Sequence, residues 1–287
     1  MLTPVFRKAA AALACALAAG LIGGSAAQAS TGDPLDRSQL GPAVFSEDFH
    51  SMPRLDSGCS DKHAKFVTQY CGEGPVNGQF PRTHGEHQCY SDSKFNGVNP
   101  FSLDPAGGLD INAARIPANV SCFGARYTSG MLSTYNSLQM RYGYWEVTAQ
   151  MPKGGEGRWP ALWLTHHPWP PEIDFAEFAQ GVLNGSQHSE THKQPGIGST
   201  APQLGCFCDR PHTFGVLVRP DVIVWYADGR EWYRNKPDEG VAGADYYLII
   251  NLAISGSPGG WTGDETPTSV PATLRVTDVH IYPLKTQ

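Results

Sequence analysis

From Tyr144 to Met151 the chain alternates without a slip. Tyr144, Glu146, Thr148 and Gln150 point one way; Trp145, Val147, Ala149 and Met151 point the other. Successive side chains of a strand lie on opposite faces, so this is a strand with one apolar face. Pro152-Lys153-Gly154-Gly155 ends it. The same logic predicts strands at residues 43–49, 109–113, 159–164 and 274–282. Residues 222–226 and 231–234 form a hairpin around Asp228-Gly229, a dipeptide suited to a tight turn. Tyr246 to Ile254 is nearly continuous in apolar residues, as a central strand covered on both faces would be. Thr31 to Pro42 reads as an extended lead-in and Ser51 to Arg82 as a long loop stapled by disulfides. No segment keeps a helical period over three turns. Strands recurring between Gly/Pro turns predict an all-β sandwich or jelly roll of two antiparallel sheets, in one domain from residue 30 to 287.

Residues 1–29 stand apart from that pattern. Arg7 and Lys8 precede an apolar run from Ala9 to Ile22, and small residues lead to Ala27-Gln28-Ala29. That is the form of a secretory signal peptide cut after Ala29, and an exported protein is expected. The run is short for a membrane span, and no later stretch is longer. Of 287 residues, 258 would remain, and losing Arg7 and Lys8 takes the net charge from −6 to −8. An acidic chain is a poor partner for nucleic acid or anionic membranes, and a neutral polymer suits it better. Six cysteines remain: Cys59, Cys71, Cys89, Cys122, Cys206 and Cys208. An even number in an exported chain predicts disulfides. Cys206 and Cys208, read as strand neighbours, are each expected to bridge elsewhere. A metal site of Cys206, Cys208 and His212 lacks the paired spacing that zinc usually takes. Asn119-Val120-Ser121 forms a glycosylation triplet.

The chemistry concentrates in Glu172-Ile173-Asp174-Phe175-Ala176-Glu177. On a straight strand Glu172 and Asp174 share a face, while Glu177 faces away. A β-bulge, one extra residue between Asp174 and Glu177, brings all three acids to one surface. Pro170-Pro171 ahead of acids also has the form of a helix start; the strand-rich remainder of the chain decides for a strand. Two carboxyls held about 5–5.5 Å apart, one a nucleophile and one an acid/base, would suit retaining cleavage of a glycosidic bond.

Tyr142-Gly143-Tyr144-Trp145-Glu146, Trp159-Pro160-Ala161-Leu162-Trp163-Leu164 and the acidic stretch follow one another in an order that resembles glycoside hydrolase family 16. Tyr127 to Met131, Trp225 to Gly229 and Ile250 to Ala253 resemble other strands of that family. The resemblance is good from about residue 120 to 283 and looser from 44 to 115. It implies a jelly roll with an open cleft on a concave sheet, Glu172 as nucleophile, Glu177 as acid/base and Asp174 between them. The two residues between Asp174 and Glu177 mark the bulged form seen in laminarinases, agarases and carrageenases. The expected activity is an endo-acting β-glycanase, foremost on β-1,3-glucan, monomeric and with no catalytic cofactor. A β-galactan hydrolase, a transglycosylase and a carbohydrate-binding protein without activity are the alternatives.

Further candidates surround the acids. Trp159 and Trp163 offer apolar platforms for sugar faces, and Trp261 in a Gly-rich loop could cover one end of the cleft. Glu86, Gln88 and Tyr90 alternate on one side of a stretch that resembles a glycone-side segment of the family. His188, Glu190 and His192 share a face on a strand; the family resemblance implies a cleft histidine near here, and His192 is the expected one. Asn251 either points into the cleft or completes a buried network. The family resemblance also implies a structural calcium away from catalysis, with Glu47 and Asp278 at the matching positions. Two stretches have no counterpart there: the cysteine-rich segment from Cys59 to Cys89, which could rebuild one end of the cleft, and Thr165 to Pro170.

Overall fold

The computed structural model describes residues 32–80, 85–193, 196–256, 260–266 and 268–285. The signal peptide expected at residues 1–29 lies outside them. In chain order the strands are β1 (Phe45–Glu47), β2 (Leu55–Asp56), β3 (Phe66–Val67), β4 (Gln88–Tyr90), β5 (Phe101–Leu103), β6 (Leu109–Arg115), β7 (Tyr127–Ser129), β8 (Met131–Ser133), β9 (Gly143–Gln150), β10 (Arg158–Thr165), β11 (Glu172–Ala179), β12 (Val182–His188), β13 (Ile197–Ala201), β14 (His212–Val218), β15 (Ile223–Ala227), β16 (Arg230–Asn235), β17 (Tyr247–Ile254) and β18 (Ala272–Pro283). Among the described residues one α-helix, α1 (Gly74–Gln79), lies between β3 and β4. It falls in the stretch expected to be a loop, and six residues are too few to show a sustained period.

Two sheets form the predicted sandwich. One runs β13-β12-β11-β10-β17-β8-β3-β2; the other runs β16-β15-β14-β9-β18-β6-β7-β4, with β1 on β18 and β5 on β6. Pairing is antiparallel except that β2 and β3, and β4 and β7, run parallel, so the sheets are mixed rather than wholly antiparallel. Trp145, Val147, Leu162, Leu164, Ile173, Phe175, Val216 and Trp225 meet in one core between the sheets. Every residue of β17 is buried. Leu248, Ile250, Leu252 and Ile254 enter that core, while Tyr247 and Ile249 join Tyr70, Tyr90, Ala161 and Trp163 in a cluster on the sheet's outer face. Among the described residues no helix is long and apolar enough to cross a membrane.

The cysteines pair as Cys59–Cys71, Cys89–Cys122 and Cys206–Cys208. The last pair corrects the expectation that each bridges elsewhere. Residues 206–208 are not a strand but follow a 3₁₀ turn, Pro202–Leu204, and Phe207 has φ 51°. That left-handed residue folds the chain back, bringing the two Cα atoms to 5.2 Å, where two strand steps would span roughly 6.6 Å. Bonded to each other, these sulfurs offer no thiolates for the alternative metal site with His212.

Candidate active site

The bulge lies where the acids require it. Asp174 pairs with Ser186 and Glu177 with Asn184, three steps on β11 against two on β12. On the other side Trp163 pairs with Asp174 and Leu162 with Ala176, so Phe175 is the residue without a partner. Its ring goes into the core, fully buried. A bulge removes a carbonyl from the ladder, and a buried carbonyl needs a donor. Trp225, reaching across the core from the other sheet, gives its indole N–H to the Asp174 carbonyl at 2.7 Å. Gly185, between the two bulge partners, makes room: a Cβ there would lie 2.8 Å from Trp225. Glu172, Asp174 and Glu177 all line one cleft of about 740 Å³ on the outer face of this sheet.

Each acid has its own partners. Glu177 accepts the Trp159 indole N–H at 2.9 Å, and Glu172 accepts that of Trp169 at 2.9 Å. Asp174 accepts the Ser186 hydroxyl and lies 3.1 Å from His188 Nε2. His188 Nε2 is also 3.6 Å from Glu172, and its Nδ1 donates to the Lys193 carbonyl at 2.7 Å. Burial opposes charge on the imidazole, but its hydrogen bond to Asp174, with the charges of Asp174 and Glu172, outweighs that and raises its pKa to about 10. Burial, then the charge of Asp174, pushes Glu172 up to about 8, against the pull of His188 and the Trp169 hydrogen bond. Burial, Asp174 and Glu172 push Glu177 well above the usual carboxylate range. The cationic ring favours an anion at Glu172, and Glu177 keeps its proton more tightly. Glu172, Asp174 and His188 bring their polar atoms within 4.8 Å of one another.

The surrounding candidates divide into wall and support. Trp159, Trp163, Trp261, Glu86 and Asn251 line the cleft. Trp159 and Trp261 meet edge to face at 5.4 Å. Gln88 and Tyr90 are wholly buried and act from beneath, both donating to the Glu86 carboxylate. Trp163 Nε1 donates to Asn251 Oδ1 at 2.7 Å, and Asn251 Nδ2 donates to Tyr90 Oη at 2.8 Å. Asn251 thus faces the cleft and completes a buried network at once. Burial raises Glu86 to about 7, against the hydrogen bonds from Tyr90, Gln88 and Tyr70.

His192 is not the cleft histidine. Its ring is half exposed and pairs with Asp238 at 2.7 Å; His188 takes the cleft position. The signal for this was available. The turn at Gln180-Gly181, both with positive φ, pairs Ala179 with Val182. Counting back through the bulge sets His188 opposite Glu172. Tyr70 and Trp169, from the two stretches without family counterparts, also line the cleft. Their placement follows from loop packing, which no period reports. Glu47 and Asp278 belong to the other sheet, where Glu47 pairs with Val279. The Glu47 carboxylate already takes the Phe49 amide and lies 3.8 Å from Lys65. Among the described residues these two join no cluster of three ligating side chains. Carbonyl oxygens would have to supply most of a calcium shell here.

A family model described as glycosyl hydrolases family 16 matches residues 96–275. The chain is 33% identical over 246 residues to the endo-1,3-1,4-beta-glycanase ExsH of Rhizobium meliloti, covering 78% of this chain and 48% of that protein. It is 32% identical over 186 residues to glucan endo-1,3-beta-glucosidase A1 of Niallia circulans, covering 55% of this chain and 26% of that one. It therefore spans about half or less of the length of these relatives. Among solved structures, the catalytic domain of an endo-1,3-beta-glucanase (laminarinase) from Thermotoga petrophila superposes with a TM-score of 0.69 at 24% identity, over 86% of this chain and 99% of that one. A non-specific endo-beta-1,3(4)-glucanase of family 16 also superposes at 0.69, with 25% identity over 88% and 95%.

Proposed function

This chain belongs to glycosyl hydrolase family 16, and from that premise we propose that it cleaves β-1,3-linked glucan within the chain by a retaining double displacement. The observation that carries this reading is the bulged strand, which delivers Glu172 and Glu177 to one cleft on either side of Asp174. Glu172, next to cationic His188, attacks the anomeric carbon as the carboxylate. Glu177, its pKa raised, gives its proton to the departing oxygen, then takes one from water to release the sugar. Asp174, held by Ser186 and His188, supplies the negative charge that keeps the Glu177 proton in place before attack. Trp159, Trp169 and Trp261 give sugar rings apolar faces to lie on.

The names of the relatives support a β-1,3 or mixed β-1,3-1,4 glucan over a galactan. Three disulfides and the leader-like stretch at residues 1–29 support export, and the enzyme acts as a monomer. Both catalytic carboxyls are present, which disfavours a binding-only protein. The test is reducing-end release from laminarin, lichenan, agarose and carrageenan, with the first-formed anomer followed by NMR. Laminarin should be cut fastest, with the β-anomer appearing first. Glu172→Gln should lose roughly 10³-fold or more in kcat, as removal of a catalytic nucleophile does, yet still bind laminarin. Cleavage of agarose alone moves the substrate to a galactan; no cleavage of any polymer removes the hydrolase reading.

A further inference from the structure

We propose that Trp169 is a positioning residue for the nucleophile, its indole N–H holding one oxygen of Glu172 so that the other faces the sugar. This rests on the hydrolase reading above. The Trp169 Nε1 atom lies 2.9 Å from Glu172 Oε2, while His188 Nε2 lies 3.6 Å from Oε1. The two oxygens are therefore unequal. Oε2 is committed to a neutral donor, and Oε1 is the one left to attack. The acid/base is held in the same way, with Glu177 Oε1 on the indole of Trp159 at 2.9 Å. Each catalytic carboxyl thus has one oxygen fixed by an indole.

Trp169 is 41% exposed, so burial does not fix its place; its loop does. His166 bonds the Asp245 carbonyl through Nδ1 at 3.0 Å, and its amide donates to the Pro171 carbonyl. On the other side Gly72, with φ 90°, comes so close to His167 that a Cβ would meet the ring at 3.0 Å. Gly72 follows Cys71, which is tied to Cys59. The cysteine-rich segment therefore backs the loop that carries the indole. A mere sugar platform would need the ring but no N–H directed at Glu172.

Trp169→Phe separates the two roles, because it keeps the ring and removes the donor. Positioning predicts a fall in kcat on laminarin of roughly tenfold to a hundredfold, the range of a hydrogen bond to a charged group, with KM within about twofold. Trp169→Ala should lose the same kcat and raise KM as well. The acidic limb of kcat/KM should move up by about one unit, since a lost donor disfavours the Glu172 anion. The other groups facing Glu172 stay in place: Asp174 and Glu177 on its strand, His188 from β12, Tyr246 and Tyr247 next to or on β17, and Tyr70 and Glu86 from the cysteine-rich segment. A carbon-13 NMR titration of the Glu172 carboxyl reads the same shift without substrate. Wild-type kcat and an unmoved titration in Trp169→Phe overturn the proposal. An inactive wild type whose Glu172 titration still moves in the variant overturns the hydrolase reading and leaves the contact established.

Discussion

At the residue scale, His188 and Glu86 carry the two clearest electrostatic consequences. His188 stays a cation across the neutral range, with its pKa near 10, and that charge stabilises the Glu172 anion. Replacing it with Asn removes the positive charge that holds the Glu172 pKa down, so the acidic limb of kcat/KM moves to higher pH. Activity of His188→Asn should fall more at pH 6 than at pH 8, read from initial rates on laminarin. Equal loss at both values would make the ring a steric support only. Glu86 works in the opposite sense, through stability. Its pKa is about 7 folded against an ordinary 4.5, so the native state binds its proton more tightly than the unfolded chain. Stability from this group is complete below 4.5 and is lost as pH rises through about 7. Glu86→Gln keeps an acceptor for Tyr90 and Gln88 but cannot ionise. Between pH 4.5 and 7 the variant should gain on wild type by on the order of 3 kcal/mol, measured by denaturant unfolding at each pH. Parallel curves would mean that Glu86 titrates normally.

At the scale of elements, the site depends on a bulge that needs help from both sheets. Phe175 anchors it inside, Trp225 bonds the Asp174 carbonyl, and Gly185 leaves the space for Trp225. Gly185→Ala should push that indole off its carbonyl. Overpacking of this kind costs about 1–3 kcal/mol, and the acids would lose register with the cleft. The expected result is a lower urea midpoint together with a fall in kcat; a change in midpoint alone would detach the Trp225 contact from catalysis. The bulge was legible in the spacing of three acids, because strand alternation leaves only one way to bring them together. The hairpin at Asp228-Gly229 was legible too, and both residues take positive φ. The helix Gly74–Gln79 and the turn at Cys206-Phe207-Cys208 were not. Each is shorter than the window in which a period can be recognised.

At the scale of the molecule, the three disulfides close loops of 12, 33 and 2 residues. Cys59–Cys71 holds the segment that brings Tyr70 to the cleft and backs the Trp169 loop. The double variant Cys59→Ser/Cys71→Ser should lose about 3 kcal/mol of unfolding free energy, as a loop of that length implies, and also raise KM for laminarin. Cys206→Ser/Cys208→Ser should lose about half as much with KM unchanged. If both doubles leave KM alone, the cysteine-rich segment has no part in the cleft. The chain alone determined the sandwich, its central strand and the three acids on one face, because these follow from alternation over a few neighbouring residues. Hairpin register puts His188 and not His192 opposite the acids; only the tertiary structure decided that Cys206 bonds Cys208 and that Tyr70 and Trp169 complete the cleft. Those outcomes depend on irregular backbone, a left-handed turn at Phe207 and loops packed along the cleft, and irregular backbone leaves no period along the chain.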